Sequence, residues 1–305
     1  MKAVGLVGAG TMGLVAGGKI LESGRLLLVY DVSGEAKKKA CEMGAVGAAD
    51  PEHVARDSEI ILLFLPGPWE VESCVSGPKG LLKAGHSGMI IVDMSTVDPD
   101  VTERMAELAF SKGVGYLDAP VLGRPSAIGN WALPVGGRKE DLDQARSILE
   151  LLASKIFHIG ESGSGNKVKL LNQMMFGAIN AVTAEMTAVA EKIGIAPKIL
   201  FETIKSSQAA TVSNLFRELG GRIADESYDN PTFTVNLLIK DVHLAVEMAK
   251  KTGAPPVLGR TIELMNEIAR AQGYGNCDTS IMWKSLRKIW ESINPSDKTP
   301  HKDGI

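Results

Sequence analysis

Hydrophobic positions change their rhythm once along this chain, near residue 163. Before that point short β-branched runs alternate with helical patterns: Ala3 to Val7, Leu26 to Tyr30, Ile60 to Leu65, Met89 to Asp93, Val114 to Ala119, Ala132 to Val135 and Ile156 to Ile159. Such alternation predicts an α/β domain, a doubly wound and mostly parallel sheet with helices on both faces. After it the strand signal stops. Val168, Leu171, Met175, Ile179, Val182, Met186, Val189 and Ile193 recur at steps of three and four, which predicts one helix over 164–193, ~40 Å long, ended by Gly194 and Pro197. Other faces of that helix are apolar too (Leu170, Met174, Ala178), so it is expected to be covered on several sides. Helices broken at Gly220-Gly221, Asn230-Pro231, Pro255-Pro256 and Gly273 to Gly275 follow. The expected organisation is a Rossmann-type domain over 1–163, a bridging helix over 164–193, an all-α domain over 194–294 and a polar, disordered tail over 295–305.

The first strand runs into Gly8-Ala9-Gly10-Thr11-Met12-Gly13, and the second ends at Asp31. In a dinucleotide-binding loop the first glycine makes the tight turn, the second lets pyrophosphate approach the backbone, and the third allows close packing of the next helix. Asp31 is placed to accept hydrogen bonds from ribose hydroxyls and to repel a 2′-phosphate, so NAD is favoured while NADP stays open. The competing reading, a structural turn that binds nothing, does not explain why strand, helix and acid all fall in place. Gly13 to Lys19 also mimics a triphosphate loop, but Ile20 stands where a magnesium-binding hydroxyl is required, and the segment lies within the predicted helix.

Composition removes other classes. Of 305 residues 45% are hydrophobic and 23% charged, enough for two cored domains, and a net charge of −3 gives no footprint for nucleic acid. Cys41, Cys74 and Cys277 are odd in number and scattered, and the five histidines lack metal spacing, so neither a disulfide framework nor a metal site is expected. No run of eighteen apolar residues and no cleavable leader is present, which points to a cytoplasmic protein with no membrane partner.

A second informative stretch is Gly163-Ser164-Gly165-Asn166-Lys167-Val168-Lys169-Leu170-Leu171-Asn172-Gln173. A glycine loop here enters a helix whose Lys169, Asn172 and Gln173 lie at steps of three and four and converge on one face. The positive helix end would depress the ammonium pKa of Lys169 toward a value useful for proton transfer. Solvated surface lysines at Lys167 and Lys169 are the competing reading of this segment alone.

Four phrases in order give the chain a resemblance to the β-hydroxyacid dehydrogenase family: Gly5 to Gly13, Asp118-Ala119-Pro120-Val121, Gly163 to Gln173, and Phe233 with Lys240-Asp241. The resemblance implies an NAD(P)-dependent oxidoreductase, 3-hydroxyisobutyrate dehydrogenase-like, that passes a hydride between the cofactor and a small 3-hydroxy acid or semialdehyde acid. It implies Lys169 as general acid and base, Asn172 and Gln173 as the polar pair beside it, and Leu65, Pro66 and Thr96 as cofactor-contacting strand ends. Lys240 would be a cofactor-side lysine of the C-terminal domain. Ser95, Leu122, Gly123 and Arg124 complete the expected substrate site, and a homodimer or homotetramer is expected. The substrate loop departs from the family, which usually has Ser-Gly-Gly where this chain has Leu122-Gly123-Arg124. A lost hydroxyl and an added guanidinium point to bidentate recognition of an anion, and a similar Gly-Arg pair occurs in relatives resembling sulfolactaldehyde reductase. An aldehyde acid with a second anionic group, sulfolactaldehyde or tartronate semialdehyde, is therefore the alternative substrate, and a non-catalytic dinucleotide-binding module the alternative of another class.

Overall fold

The computed structural model describes residues 3–207, 209 and 211–293; the tail expected over 295–305 lies outside them. Along the first part run β1 (Ala3–Val7), α1 (Thr11–Glu22), β2 (Leu27–Tyr30), α2 (Gly34–Glu42), β3 (Val46–Gly47), α3 (Pro51–Asp57), β4 (Ser58–Leu63) and α4 (Pro68–Ser76). They are followed by β5 (Ile90–Asp93), α5 (Pro99–Phe110), β6 (Gly115–Asp118), β7 (Trp131–Gly137), α6 (Lys139–Leu152) and β8 (Ala153–Gly160). The eight strands form one sheet in the order β3-β2-β1-β4-β5-β6-β7-β8, parallel throughout except for the β6–β7 pair. The strand order reverses between β1 and β4, the position where doubly wound sheets bind ligands beyond the strand ends.

Alternation along each strand decides which helix it meets. Val4, Leu6, Leu62 and Val92 point to one face and pack with Ala16 and Ile20 of α1 and Leu142, Ile148 and Leu149 of α6. Val7, Ile61, Leu63, Ile91 and Tyr116 point to the other and pack with Val54 of α3, Val71 and Val75 of α4, and Val101 and Met105 of α5. Burial on both faces is why these strands read as continuous apolar runs. One strand has no such signal. β3 is two exposed residues at the sheet edge, paired with β2 through Leu28↔Val46 and Val29↔Gly47, and sequence periodicity does not reveal it.

The chain divides at Leu170/Leu171 into two compact units. Helix α7 (Ser164–Lys192) begins in the first and continues into the second. It stops at Gly194, which takes a φ of 86°, while the amide of Ile195 bonds back to the Ala190 carbonyl. The second unit continues with α8 (Pro197–Ser206), α9 (Asn214–Ala224), α10 (Val235–Lys251), α11 (Val257–Ala269) and α12 (Met282–Ile293). Its apolar centres are built around Trp283, Tyr228 and Ile239, and around Leu238, Val242 and Ile262. No helix among the described residues is long and apolar enough to cross a membrane.

Candidate active site

The loop after β1 is shaped by two glycines that cannot be replaced without movement. Gly8 has a φ of 95°, and a Cβ there would run into the Phe64 carbonyl; a Cβ on Gly13 would run into the carbonyl oxygen of Gly8. Gly10 instead faces open space at the start of α1, which has no side-chain cap. The backbone amides of the first turn, at Thr11, Met12 and Gly13, therefore have no carbonyl of their own helix to bond and no capping side chain. Asp31 closes the loop on its far side. Its Oδ2 accepts from the Ala9 amide at 2.6 Å and its Oδ1 from the Ser33 amide at 2.7 Å, and each oxygen keeps a lone pair for a hydroxyl donor.

The ends of β4 and β5 are tied to one another. The Leu65 amide donates to Ser95 Oγ at 2.9 Å, and the Ser95 amide donates to Asp93 Oδ1 at 2.9 Å. Asp93, fully buried, also accepts from the Tyr116 hydroxyl at 3.0 Å. Ser95 is buried by this arrangement, whereas Leu65 and Thr96 are half-buried and Pro66 is exposed.

At the end of β6 lies a group to which the sequence reading gave no individual role. Asp118 is fully buried, and its two oxygens accept from the amides of Gly163 and Asn166, each at 2.8 Å. A carboxylate thus caps the first turn of α7 from a distant strand. Burial pushes its pKa up to about 7, although the amides of Asn166 and Gly163 oppose the rise. Asn166, also buried, accepts from the Val97 amide at 3.2 Å and donates to Thr102 Oγ1 at 3.2 Å, so α7 is fastened to the segment following β5 as well. One turn further on, Lys169 is half-buried, and its Nζ donates to the Val121 carbonyl at 2.9 Å. Lys167, pointing elsewhere, is exposed and ion-pairs with Glu103 at 3.0 Å. The two lysines of the segment are therefore in different circumstances.

The loop carrying Leu122, Gly123 and Arg124 is held by Trp131. The indole is fully buried and donates from Nε1 to the Arg124 carbonyl at 2.8 Å, and it lies so close to Gly123 that a Cβ there would meet the ring. Leu122 exchanges backbone hydrogen bonds with Ala132, so its amide is committed to the protein and does not serve an anion. Gly123 is exposed and Arg124 half-buried.

In the second unit Asn172 is exposed and donates weakly to Gln173 Oε1, at 3.4 Å. Gln173, expected to face substrate, is instead 4% exposed, and its Nε2 donates to Asp241 Oδ2 at 2.5 Å. With both ends of its amide engaged, it supports Asn172 and Asp241. Lys240 pairs with the other oxygen of the same carboxylate at 2.7 Å. Asp118, Asn166, Trp131 and Asp241 are the residues whose parts sequence reasoning did not assign. The one signal Asp118 offered was an acid ending an otherwise apolar strand. Replacing Gly13 with Ala should destabilise the protein by about 1–3 kcal/mol through the clash with Gly8. It should also weaken dinucleotide binding by roughly tenfold or more, read by NADH fluorescence titration and thermal unfolding.

Residues 3–160 match the family described as the NAD binding domain of 6-phosphogluconate dehydrogenase, and residues 163–286 match that described as NAD-binding of NADP-dependent 3-hydroxyisobutyrate dehydrogenase. The 3-sulfolactaldehyde reductase of Escherichia coli K12 is 31% identical over 294 residues, 94% of this chain and 96% of that protein. The 3-hydroxyisobutyrate dehydrogenase of Pseudomonas aeruginosa is 32% identical over 265 residues, 85% of this chain and 89% of that protein. Among solved structures, the 3-hydroxyisobutyrate dehydrogenase of Salmonella typhimurium superposes with a TM-score of 0.86 at 25% identity, covering 93% of this chain and 99% of that one. With the glycine loop at the strand-order reversal and both halves of the chain matched in sequence, the protein belongs to the β-hydroxyacid dehydrogenase family and is a nicotinamide-dinucleotide-dependent oxidoreductase of hydroxy acids.

Proposed function

We propose that the chain interconverts a small 3-hydroxy acid and its semialdehyde, with Lys169 as the proton carrier and NAD(H) as the preferred cofactor. The observation that carries this reading is the tether of Lys169 Nζ to the Val121 carbonyl, directly before the loop of Leu122, Gly123 and Arg124. So held, the lysine presents its ammonium beside the segment proposed to bind substrate. In the reductive direction Lys169 delivers a proton to the oxygen that becomes the hydroxyl; in the oxidative direction its neutral amine removes that proton. The Gly123 amide and the Arg124 guanidinium orient the substrate carboxylate, and Asn172, one turn after Lys169, adds a polar contact. When bound, the dinucleotide supplies the hydride donor or acceptor. The cradle at Gly8, Gly10 and Gly13 fits it, because Gly10 leaves open space where a pyrophosphate needs approach to bare backbone. Leu65, Pro66 and Thr96 belong to the same ligand-facing rim of strand ends, and Ser95, expected there, is buried beneath it and holds the Leu65 amide.

NAD is proposed over NADP because Asp31 presents a carboxylate anchored by two amides, followed by Val32 and Ser33 with no cation to answer a 2′-phosphate. A second substrate reading is favoured by Arg124. The 3-sulfolactaldehyde reductase relative suggests an aldehyde carrying a second anionic group, which a guanidinium pairs with in bidentate fashion. A homodimer or homotetramer is part of the proposal: Leu171, Met175, Val182 and Val189 share one face of α7 and are all exposed, an apolar stripe that a second copy would cover. The free thiols of Cys41, Cys74 and Cys277 suit a cytoplasmic setting.

Replacing Lys169 with Ala should lower kcat by about 10²- to 10⁴-fold while leaving the NADH dissociation constant within about threefold; undiminished turnover would remove Lys169 from the chemistry. Asp31→Ser should move the NADP-to-NAD ratio of kcat/KM toward NADP by roughly 10- to 100-fold, the worth of a charged hydrogen-bond pair. Assays at 340 nm with methylmalonate semialdehyde, tartronate semialdehyde, succinate semialdehyde, glyoxylate and sulfolactaldehyde identify the acid. The preferred substrate should lose roughly tenfold or more in kcat/KM with Arg124→Ala, and an unchanged value would turn Arg124 away from the site.

A further inference from the structure

The contact between the end of β6 and the start of α7 is built at two heights. At the lower one Asp118 takes the amides of Gly163 and Asn166; at the upper one, three residues later along the strand end, the Val121 carbonyl takes Lys169 Nζ. Two glycines make room for the carboxyl. A Cβ on Gly136 of β7 would strike Asp118 Oδ1, and one on Gly165 would lie 2.6 Å from the Asp118 carbonyl, 2.9 Å from Oδ2 and 2.5 Å from the Pro134 carbonyl. Gly165 and Lys169 are four residues apart and share a helix face, so the face that presses on Asp118 is the one that presents the lysine. Asn166 blocks rotation of the same turn through Val97 and Thr102.

We propose that Asp118 is a positioning residue of the reaction: by capping the first turn of α7 it fixes the height and rotation from which Lys169 meets both Val121 and the substrate oxygen. The inference rests on Lys169 as proton carrier. A carboxylate suits this task because two amides at a helix start, with no carbonyl partners of their own, need an acceptor, and a negative group there also matches the positive helix end. A side-chain amide is a poorer substitute, because it offers one accepting oxygen and turns its NH2 toward the other donor.

The test is a double-mutant cycle of Asp118→Asn and Lys169→Ala, assayed by NAD+-dependent oxidation of 3-hydroxyisobutyrate at 340 nm. A second readout independent of substrate is the rate at which limiting acetic anhydride modifies Lys169, compared with exposed Lys112 by peptide mass spectrometry. Asp118→Asn should reduce kcat by about 10- to 100-fold, the cost of misplacing a catalytic group by about an ångström. It should leave the NADH dissociation constant within about threefold, raise Lys169 acetylation severalfold relative to Lys112, and add little in the Lys169→Ala background. Should that variant not fold, Gly165→Ala, which forces the helix off the strand end, replaces it in the same cycle. A folded variant with unchanged kcat and unchanged Lys169 acetylation, or with effects that add fully to those of Lys169→Ala, overturns the positioning role. Full turnover by Lys169→Ala sinks the proton-carrier reading instead, and the acetylation ratio then decides whether Asp118 holds the lysine in place. If 3-hydroxyisobutyrate is not turned over, that same ratio alone upholds or rejects the clamp.

Discussion

Both oxygens of Asp118 are taken by main-chain amides that follow it by 45 and 48 residues, and the site depends on this junction. A buried carboxylate without partners is among the most costly groups a protein can hold; each amide bond to a charged acceptor returns about 1.5–3 kcal/mol of that cost. Burial prevails over the pull of the two amides and lifts the Asp118 pKa to about 7. The sheet end and the long helix are thereby fixed to each other within the first unit. The dinucleotide loop at β1, the rim at β4 and β5, and the lysine on α7 then all refer to one rigid frame. Asn166 and the Asp93–Tyr116 bond extend the frame across β5 and α5.

Most of the architecture is legible in the chain because strands buried on both faces must be apolar throughout. The inner strands β1, β2, β4 and β5 appear as hydrophobic runs, the mostly exposed β8 shows only the short run Ile156 to Ile159, and the end of α7 is announced by Gly194. What escapes is β3, whose two exposed residues pair only through backbone atoms and so carry no compositional mark, and the break expected at Gly220-Gly221 is not there: α9 runs through both glycines, Gly220 lying against the Phe201 ring. The bounds of β7 and β8 are also wider than their apolar cores suggest, since backbone pairing from Trp131↔Ala153 to Gly136↔Gly160 continues past the last apolar side chain.

The site divides along a similar line. The glycine loop and Asp31 are readable because their spacing is local and each position has a steric reason. Asp118 and Asn166 are not, because their partners lie 45 to 69 residues away and only the fold brings them together. Gln173 shows the opposite failure. Its place beside Lys169 and Asn172 in sequence suggests a substrate contact, yet in the helix it turns inward to Asp241, a residue no short-range pattern connects to it.

Trp131 grips the loop of residues 122–124 through the carbonyl of Arg124 and the bare α-carbon of Gly123, while Leu122 is held by its own amide and carbonyl. Every one of these attachments is to main chain. None of these attachments uses the side chains at 122 and 124, whereas the contact at 123 requires glycine. If Arg124 recognises the substrate as proposed, the tripeptide joins a position that the packing of Trp131 restricts to glycine with a neighbour whose side chain these main-chain attachments leave open to change.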